Sequence, residues 1–192
     1  MADRILVIRF SSLGDVVLAE PVFRALKQMH PQAQIAFATK QEYAGVFEGH
    51  SGIHRIFVLD KDFEKFANEV RIFNPDLIID LHKNLSSQKL SRQFLTVQKR
   101  TYPKARWERF MKVLTKSRKP VMHTMERYLK TIESNGARVF PQLSIQQTEN
   151  HRRWVEPPGF TVGFGLGAKW KTKRWPVGYF SRLAQLLSET FP

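Results

Sequence analysis

Four short apolar runs that alternate with segments of helical periodicity constrain the fold of this chain more than any other feature of its sequence. The runs lie at residues 4–10, 35–38, 56–59 and 77–79. Each has the length of one strand, and the segments between them repeat apolar side chains at the spacing of an amphipathic helix. Strands and helices that alternate in this way predict βαβ units. The sequence therefore predicts an α/β fold with a doubly wound parallel sheet.

The segments around these runs predict a succession of helices and one further strand. The first helix is predicted over residues 15–29, and Pro21 is expected to kink it without abolishing it. The other helices are predicted at residues 41–47, 63–73, 87–95, 105–114 and 124–135, with a strand at residues 97–102.

A second strand–turn–helix unit is predicted near the end of the chain, after a connection at residues 140–158. It consists of a strand at 160–164, a turn at 165–176 and a helix at 177–190. One βα unit cannot bury both of its faces. We therefore expect the chain to enter a second domain and to be truncated within it.

The composition indicates a folded protein without thiol chemistry. Hydrophobic residues make up 42% and aromatic residues 12% of the chain, which is enough for a core. The sequence has no cysteine, which excludes disulfides and thiolate metal sites. No apolar run reaches the ~18 residues of a membrane span. The first strand begins so early that no signal peptide is expected, which is typical of a cytosolic protein.

The positive charge of the chain is concentrated in one region. The net charge is +14, with −2 over residues 1–82, +12 over residues 83–130 and +4 over residues 131–192. Such a region predicts a polyanionic partner, which could be nucleic acid, an anionic membrane surface or a phosphorylated substrate. The alternative is a solvated, lysine-rich helical face. No recognised nucleic-acid-binding motif accompanies the charge.

The turn after the first apolar run, residues 9–15, is the first candidate site. Ligands of open α/β sheets bind at the carboxyl ends of strands, where this turn lies. Ser12 and Asp15 have the spacing of a helix capping box. A carboxylate at a helix N-terminus could also act as a general base on a sugar hydroxyl. Spacing alone favours the cap, and the two roles are compatible. Gly14 is not the three-glycine fingerprint of a dinucleotide site.

Polar residues also follow the fourth apolar run. Asp80, His82 and Asn84 could orient a polyhydroxylated substrate, or Asp80 or Asn84 could simply cap the next turn. Asp60 and Asp62 form an acid pair that could hold a metal ion, but capping of the helix predicted from residue 63 is the simpler explanation of the pair. No metal site is predicted.

Residues 165–176 are the most distinctive stretch of the sequence. Glycines at the end of a strand let backbone amides approach an anion, and the helix that follows adds its positive end. Lys169, Lys171, Lys173 and Arg174 add cations suited to a diphosphate. A solvated basic loop is the alternative. The Gly-Lys-Ser/Thr ending of a P-loop is missing.

The motifs at residues 5–15, 76–84, 123–128 and 165–176 resemble, in order and spacing, those of glycosyltransferase family 9, the ADP-heptose:lipopolysaccharide heptosyltransferases. The most specific are a strand followed by Ser-Ser-Leu-Gly-Asp and the sequence Gly-Ala-x-x-x-x-Lys-Arg-Trp-Pro that begins at Gly167. The resemblance covers essentially the whole chain.

The resemblance implies a GT-B fold, in which two Rossmann-like domains flank the active site. Residues 1–145 would form the acceptor-binding domain, and residues 146–192 a linker with the first βα unit of the donor-binding domain. Family members continue to an Asp-x-Gly-x-x-His-type motif that helps to bind the donor and has no counterpart in this sequence. The chain is therefore expected to be truncated within that domain.

The resemblance also implies an activity, which is inverting, metal-independent transfer of heptose from ADP-heptose to phosphorylated lipid A–Kdo. It needs no cofactor and would take place in the cytoplasm, against the inner membrane. Asp15 is implied as the base, and Lys173 as a ligand of the donor diphosphate together with Gly167, Ala168 and Lys169. The residues expected on the acceptor side are Ser12, Gly14, His82, Asn84, Arg106, Arg109 and Arg127.

Three alternatives stay open at this point. The chain could be a non-catalytic module that binds the acceptor, or a transferase that uses another nucleotide sugar. On net charge alone, it could bind nucleic acid, although the resemblance predicts no nucleic-acid partner.

Overall fold

A computed structural model describes residues 3–103, 114–115, 122–132, 159, 161–168 and 171–191. The chain divides into two compact units, residues 1–149 and 150–192, where the sequence placed the boundary after residue 145. Within the described residues, no helix is both long enough and apolar enough to cross a bilayer.

The first unit is built on a five-stranded, all-parallel sheet with the strand order β3-β2-β1-β4-β5. The first strand lies at the centre, where Ile5 pairs with Ile35 on one side and with Leu77 on the other. The predicted α/β fold with a parallel sheet is therefore confirmed. The strands are β1 (Arg4–Ile8), β2 (Gln34–Lys40), β3 (Arg55–Leu59), β4 (Leu77–Asp80) and β5 (Gln98–Thr101).

Helices cover both faces of this sheet. In its described residues, the helices of the first unit are α1 (Leu13–Val17), α2 (Glu20–Met29), α3 (Gln41–Ala44), α4 (Phe63–Phe73), α5 (Leu85–Arg92) and α6 (Thr124–Ile132), and a 3₁₀ turn at Gly45–Phe47 extends α3.

Alternate residues of the central strand belong to two separate hydrophobic cores, one on each face of the sheet. Ile5 and Val7 pack with side chains of α1, α2 and α6, whereas Leu6 and Ile8 pack with side chains of α4 and α5 on the opposite face. All four are fully buried, and each such burial contributes about 1.5–3 kcal/mol relative to an exposed side chain. A strand that is apolar at every position is therefore the sequence signature of this doubly covered sheet.

The prediction of one kinked helix over residues 15–29 is wrong, because the structure has two helices with a break at Leu18 and Ala19. Pro21 lies in the first turn of α2. Proline has no N–H and its ring clashes with the carbonyl four residues earlier, so it fits the start of a helix better than its interior. The short helix α1 that results places Asp15 in its own first turn.

Two other predicted boundaries in the first unit shift for local reasons. The strand predicted to reach residue 10 ends at Ile8, after which the Arg9 N–H donates to Ala38 O at 2.9 Å. The helix predicted from residue 87 begins at Leu85, because Asn84 caps it.

The second unit contains helix α7 (Val177–Thr190), as predicted. The strand predicted at 160–164 is not found, since its described residues, 161–164, have no ladder partner in the described part of the chain. Apolar runs become strands only where neighbouring strands satisfy their backbone groups. Three predictions fall outside the described residues. They are residues 105–113 of the helix predicted at 105–114, the end of the last helix of the first unit beyond residue 132, and the connection at 140–158.

Candidate active site at the carboxyl edge of the sheet

The carboxyl ends of the parallel strands meet at one edge of the sheet, and the candidate polar residues lie there. The turn that carries Asp15 follows β1, and the segment from Asp80 to Asn84 follows the adjacent strand β4. Ligands of open α/β sheets bind at this edge. These two loops therefore form the candidate site.

Asp15 is held at the start of α1 by donors that all bond to the same carboxylate oxygen. Its Oδ2 accepts from Arg9 Nη2 at 2.5 Å, from Ser12 Oγ at 3.1 Å and from the Ser12 N–H at 3.4 Å. Asp15 and Ser12 form the predicted capping box. The described residues place no donor on Oδ1, and the Asp15 side chain is 34% exposed. One oxygen is therefore fixed, and the other can accept a further hydrogen bond.

Arg9 connects this carboxylate to the neighbouring strand. Its side chain is only 10% exposed, and its Nη1 donates to Leu81 O, just beyond β4, at 2.6 Å. Its guanidinium carbon lies 5.8 Å from the centroid of the Tyr128 ring, on α6. Sequence reasoning assigned no role to Arg9. The available signal was a charged residue directly after a fully buried strand, which needs a partner at that depth.

Tyr128 is the second site residue that sequence reasoning missed. It is fully buried, its ring packs edge-on against Tyr102 at 5.1 Å, and its hydroxyl has no hydrogen-bond partner in the described part of the chain. Burial raises the pKa of Tyr128, the Arg9 charge lowers it, and Asp15 and Tyr102 raise it further. The phenol is therefore kept protonated beside the Arg9–Asp15 pair.

The loop after β4 is organised by Asp80. This buried carboxylate accepts from the N–H groups of His82 at 2.8 Å and Lys83 at 2.7 Å, and from Ser87 Oγ at 2.8 Å. Asn84 caps α5, with its Oδ1 accepting from the Ser87 N–H at 2.8 Å. The capping interpretation of Asn84 is confirmed, and Asp80 holds the loop in place. The same interpretation of Asp62 is confirmed, since it accepts from the Lys65 N–H at 3.0 Å.

The structure brings together some of the residues predicted on the acceptor side. Ser12 and Gly14 lie in the same turn as Asp15, and His82 lies after β4 with its ring 5.8 Å from that of Phe10. Arg127 is buried and donates to backbone carbonyls, to Met122 O at 2.9 Å and to Pro103 O at 3.5 Å. These contacts favour a structural role for Arg127. Arg106 and Arg109 lie outside the described residues.

Two open pockets lie beside the strand ends. One, of about 740 Å³, lies at the carboxyl ends of β2 and β3, where Lys40 and Lys61 are balanced by Glu42 and Asp60. The other, of about 360 Å³, lies beside Asp80 between α5 and β5 and is lined by cations including Arg92 and Lys99. The cations of this second pocket suit a ligand with anionic groups.

The predicted diphosphate stretch of the second unit is exposed to solvent. Gly167 is exposed, and a Cβ added to it would meet no atom within 4 Å. Arg174 Nε donates to Ala168 O at 2.7 Å, and Lys173 is exposed in a 3₁₀ turn over Lys171–Lys173. Lys169 lies outside the described residues. The exposed backbone at Gly167 leaves room for a ligand to approach it.

Comparison with known proteins gives no match to a family model and none to a curated protein sequence. Solved glycosyltransferase structures share the fold. A glycosyltransferase family 9 protein from Veillonella parvula is 22% identical, with a TM-score of 0.73 over 98% of this chain and 60% of its own. Escherichia coli heptosyltransferase WaaC with ADP is 18% identical, with a TM-score of 0.64 over 97% of this chain and 65% of its own.

A third solved structure, ADP-heptose lipopolysaccharide heptosyltransferase II from E. coli, is 18% identical, with a TM-score of 0.61 over 98% of this chain and 62% of its own. The chain thus spans 60–65% of the length of these three structures. At the level of the fold, the resemblance to glycosyltransferase family 9 is confirmed.

Proposed function

We propose that this chain is the acceptor-binding part, with the beginning of the donor-binding part, of a glycosyltransferase that uses a nucleotide sugar. The observation that carries the proposal is the geometry of Asp15. Its Oδ2 is occupied by Arg9 and Ser12 at the carboxyl edge of the sheet, while its Oδ1 accepts from no donor among the described residues and the side chain is partly exposed. Such an oxygen suits a general base.

The proposed reaction is a single displacement with inversion at the anomeric carbon. An acceptor hydroxyl oxygen forms the new bond to that carbon while the bond to the diphosphate oxygen breaks, and the electron pair leaves with the nucleoside diphosphate. Asp15 Oδ1 takes the hydroxyl proton. General base catalysis of this kind contributes about 10²–10⁴ to the rate.

For the donor, we propose a nucleoside diphosphate sugar held by the stretch that contains Gly167, Ala168, Lys169 and Lys173. Lys173 would stabilise the negative charge that develops on the leaving diphosphate, and exposed backbone at Gly167 would donate to phosphate oxygens. Solved structures of WaaC contain ADP and ADP-2-deoxy-2-fluoro heptose, which supports ADP-heptose as the donor. No metal or cofactor is required by this scheme.

For the acceptor, we propose phosphorylated lipid A–Kdo at the membrane surface. The support is the charge of +12 over residues 83–130 and the cation-lined pocket between α5 and β5. The neighbours that are lipopolysaccharide heptosyltransferases point the same way. Cations near an anionic membrane also favour peripheral binding to it.

The decisive experiment compares Asp15→Asn with Asp76→Asn in the complete gene product, using ADP-heptose and phosphorylated lipid A–Kdo. Asp76 is a matched control, because it also accepts backbone N–H bonds and pairs with an arginine. It lies before β4, at the amino ends of the strands and away from the candidate site. We expect turnover to fall about 10²–10⁴-fold in Asp15→Asn only. Near-normal turnover in that variant would refute the role of Asp15.

A second candidate function is acceptor binding without catalysis, favoured by the same cation-lined pocket. Binding of the chain to vesicles that contain phosphorylated lipid A–Kdo, with no transfer from any nucleotide sugar, would support it. Measurable transfer would exclude it, and transfer from a different nucleotide sugar would change the donor assignment alone.

A further inference from the structure

We infer that Arg9 is a positioning residue that fixes the plane of the Asp15 carboxylate, so that the oxygen it does not bind faces the acceptor hydroxyl. The inference rests on the proposed function and adds to it a residue to which sequence reasoning gave no role. An aspartate side chain has two equivalent oxygens, and rotation about its terminal torsion is broad and roughly two-fold. Some group must therefore fix the carboxylate if one oxygen is to act as a base.

The contacts of Arg9 provide that constraint from two elements. Its Nη2 donates to Asp15 Oδ2 at 2.5 Å and its Nη1 donates to Leu81 O at 2.6 Å. The guanidinium is a planar, rigid fork, so fixing one nitrogen on the strand end fixes the direction of the other. The buried carbonyl beyond β4 thus sets the position of the Asp15 carboxylate.

The surroundings of Arg9 keep this fork in place. The arginine is 8% exposed, and its guanidinium carbon lies 5.8 Å from the centroid of the Tyr128 ring, which adds a cation–π attraction. Charge-assisted hydrogen bonds such as that to Asp15 are also about twice as strong as neutral ones. The pair is therefore held by β4 and α6 as well as by its own turn.

Without Arg9, Oδ2 would keep only its two bonds to Ser12, at 3.1 Å and 3.4 Å. The plane of the carboxylate could then rotate away from the acceptor hydroxyl, and the base would lose its orientation. A misplacement of about 1 Å at a reacting group can cost 10²-fold in rate. The loss should appear in kcat, because the donor and acceptor contacts are unchanged.

The kinetic test compares Arg9→Met and Arg9→Lys with Arg4→Met in the complete gene product. Arg4 is the matched control, since it begins the strand that Arg9 follows and pairs with Asp76 at 3.7 Å, at the amino ends of the strands. We expect kcat to fall about 10²-fold in Arg9→Met with a smaller change in KM. Arg9→Lys keeps the charge without the fork, and we expect its kcat to lie between those of Arg9→Met and the parent chain.

Two kinetic outcomes would overturn the inference. In one, Arg9→Lys has the full kcat of the parent chain, which would show that charge suffices. In the other, kcat of Arg9→Met falls no further than that of Arg4→Met. If Arg9→Met does not fold, Arg9→Lys and the magnetic resonance test below still decide.

A test without activity separates this inference from the proposed function. In the 192-residue chain, the Arg9 Nη protons should give separate resonances, because two acceptors hinder rotation of the guanidinium. These resonances should disappear in Asp15→Ala and persist in Asp76→Ala. Persistence in Asp15→Ala would overturn the inference whether or not the protein transfers a sugar. A parent chain with these resonances but without transferase activity would count against the proposed function alone.

Discussion

The buried hydroxyl of Tyr128 leads to a prediction about stability that is independent of any activity. The side chain is fully buried, and its hydroxyl has no partner in the described part of the chain. A buried polar group without a hydrogen bond costs about 1–3 kcal/mol. Tyr128→Phe removes this group and keeps the ring that packs against Tyr102 and Arg9. We therefore expect the variant to be more stable than the parent chain.

The expected size of the effect is about 1 kcal/mol, at the lower end of that range because the phenylalanine ring leaves a small void. In a unit of 149 residues, this corresponds to a rise in Tm of about 2–4 °C. Thermal unfolding followed by circular dichroism measures it. Tyr102→Phe is the control, because that side chain is partly exposed and its hydroxyl can be hydrated, so its Tm should not change.

The difference in stability between Tyr128→Phe and the parent chain should also grow at alkaline pH. Burial raises the pKa of Tyr128 above its ordinary value of 10.0, so the unfolded chain loses this proton before the folded chain does. The parent chain should thus lose stability relative to Tyr128→Phe by up to about 1.4 kcal/mol per pH unit above pH 10. Two results together would show that the Tyr128 hydroxyl has a hydrogen-bond partner. Tyr128→Phe would be less stable than the parent chain, and the difference in stability would not grow with pH.

The remaining predictions concern one helix cap and one donor contact. Asn84→Ala removes the cap that accepts from the Ser87 N–H, and the free energy of unfolding in urea should fall by about 1 kcal/mol. Lys173→Ala should raise the KM for the nucleotide sugar about tenfold or more, because a hydrogen bond to a charged group contributes about 1.5–3 kcal/mol. Lys171→Ala, in the same exposed turn, is its control, and an equal effect of both variants on KM would contradict a specific role for Lys173.

The parallel sheet was predictable because four of its five strands are marked by apolar runs. A run such as residues 77–79, apolar at every position, can be buried only between two layers of helices. The cap at Asp62 was predictable for a similar reason, since its partner is only three residues away, at Lys65. Features fixed by neighbours in sequence can be predicted from the sequence.

Features fixed by distant partners could not be predicted in this way. Arg9 and Leu81 are far apart in sequence, and only the pairing of β1 with β4 brings them within 2.6 Å. The strand predicted at residues 160–164 was not found at its described residues 161–164 for the same reason. Whether a run becomes a strand depends on neighbouring strands and not on its own residues alone. Periodicity identified the first helical segment, but it could not show that Pro21 would begin a new helix.

The two roles expected of Asp15 become compatible when its oxygens are considered separately. The cap and the ion pair both use Oδ2, so the structural role leaves Oδ1 available. This division also explains why Asp15→Asn is a clean test. Arg9 Nη2 and the Ser12 N–H can only donate to this position, and they would draw the amide oxygen of asparagine to their side. The NH₂ group would then occupy the position of the base, so the helix should stay capped while proton abstraction is lost.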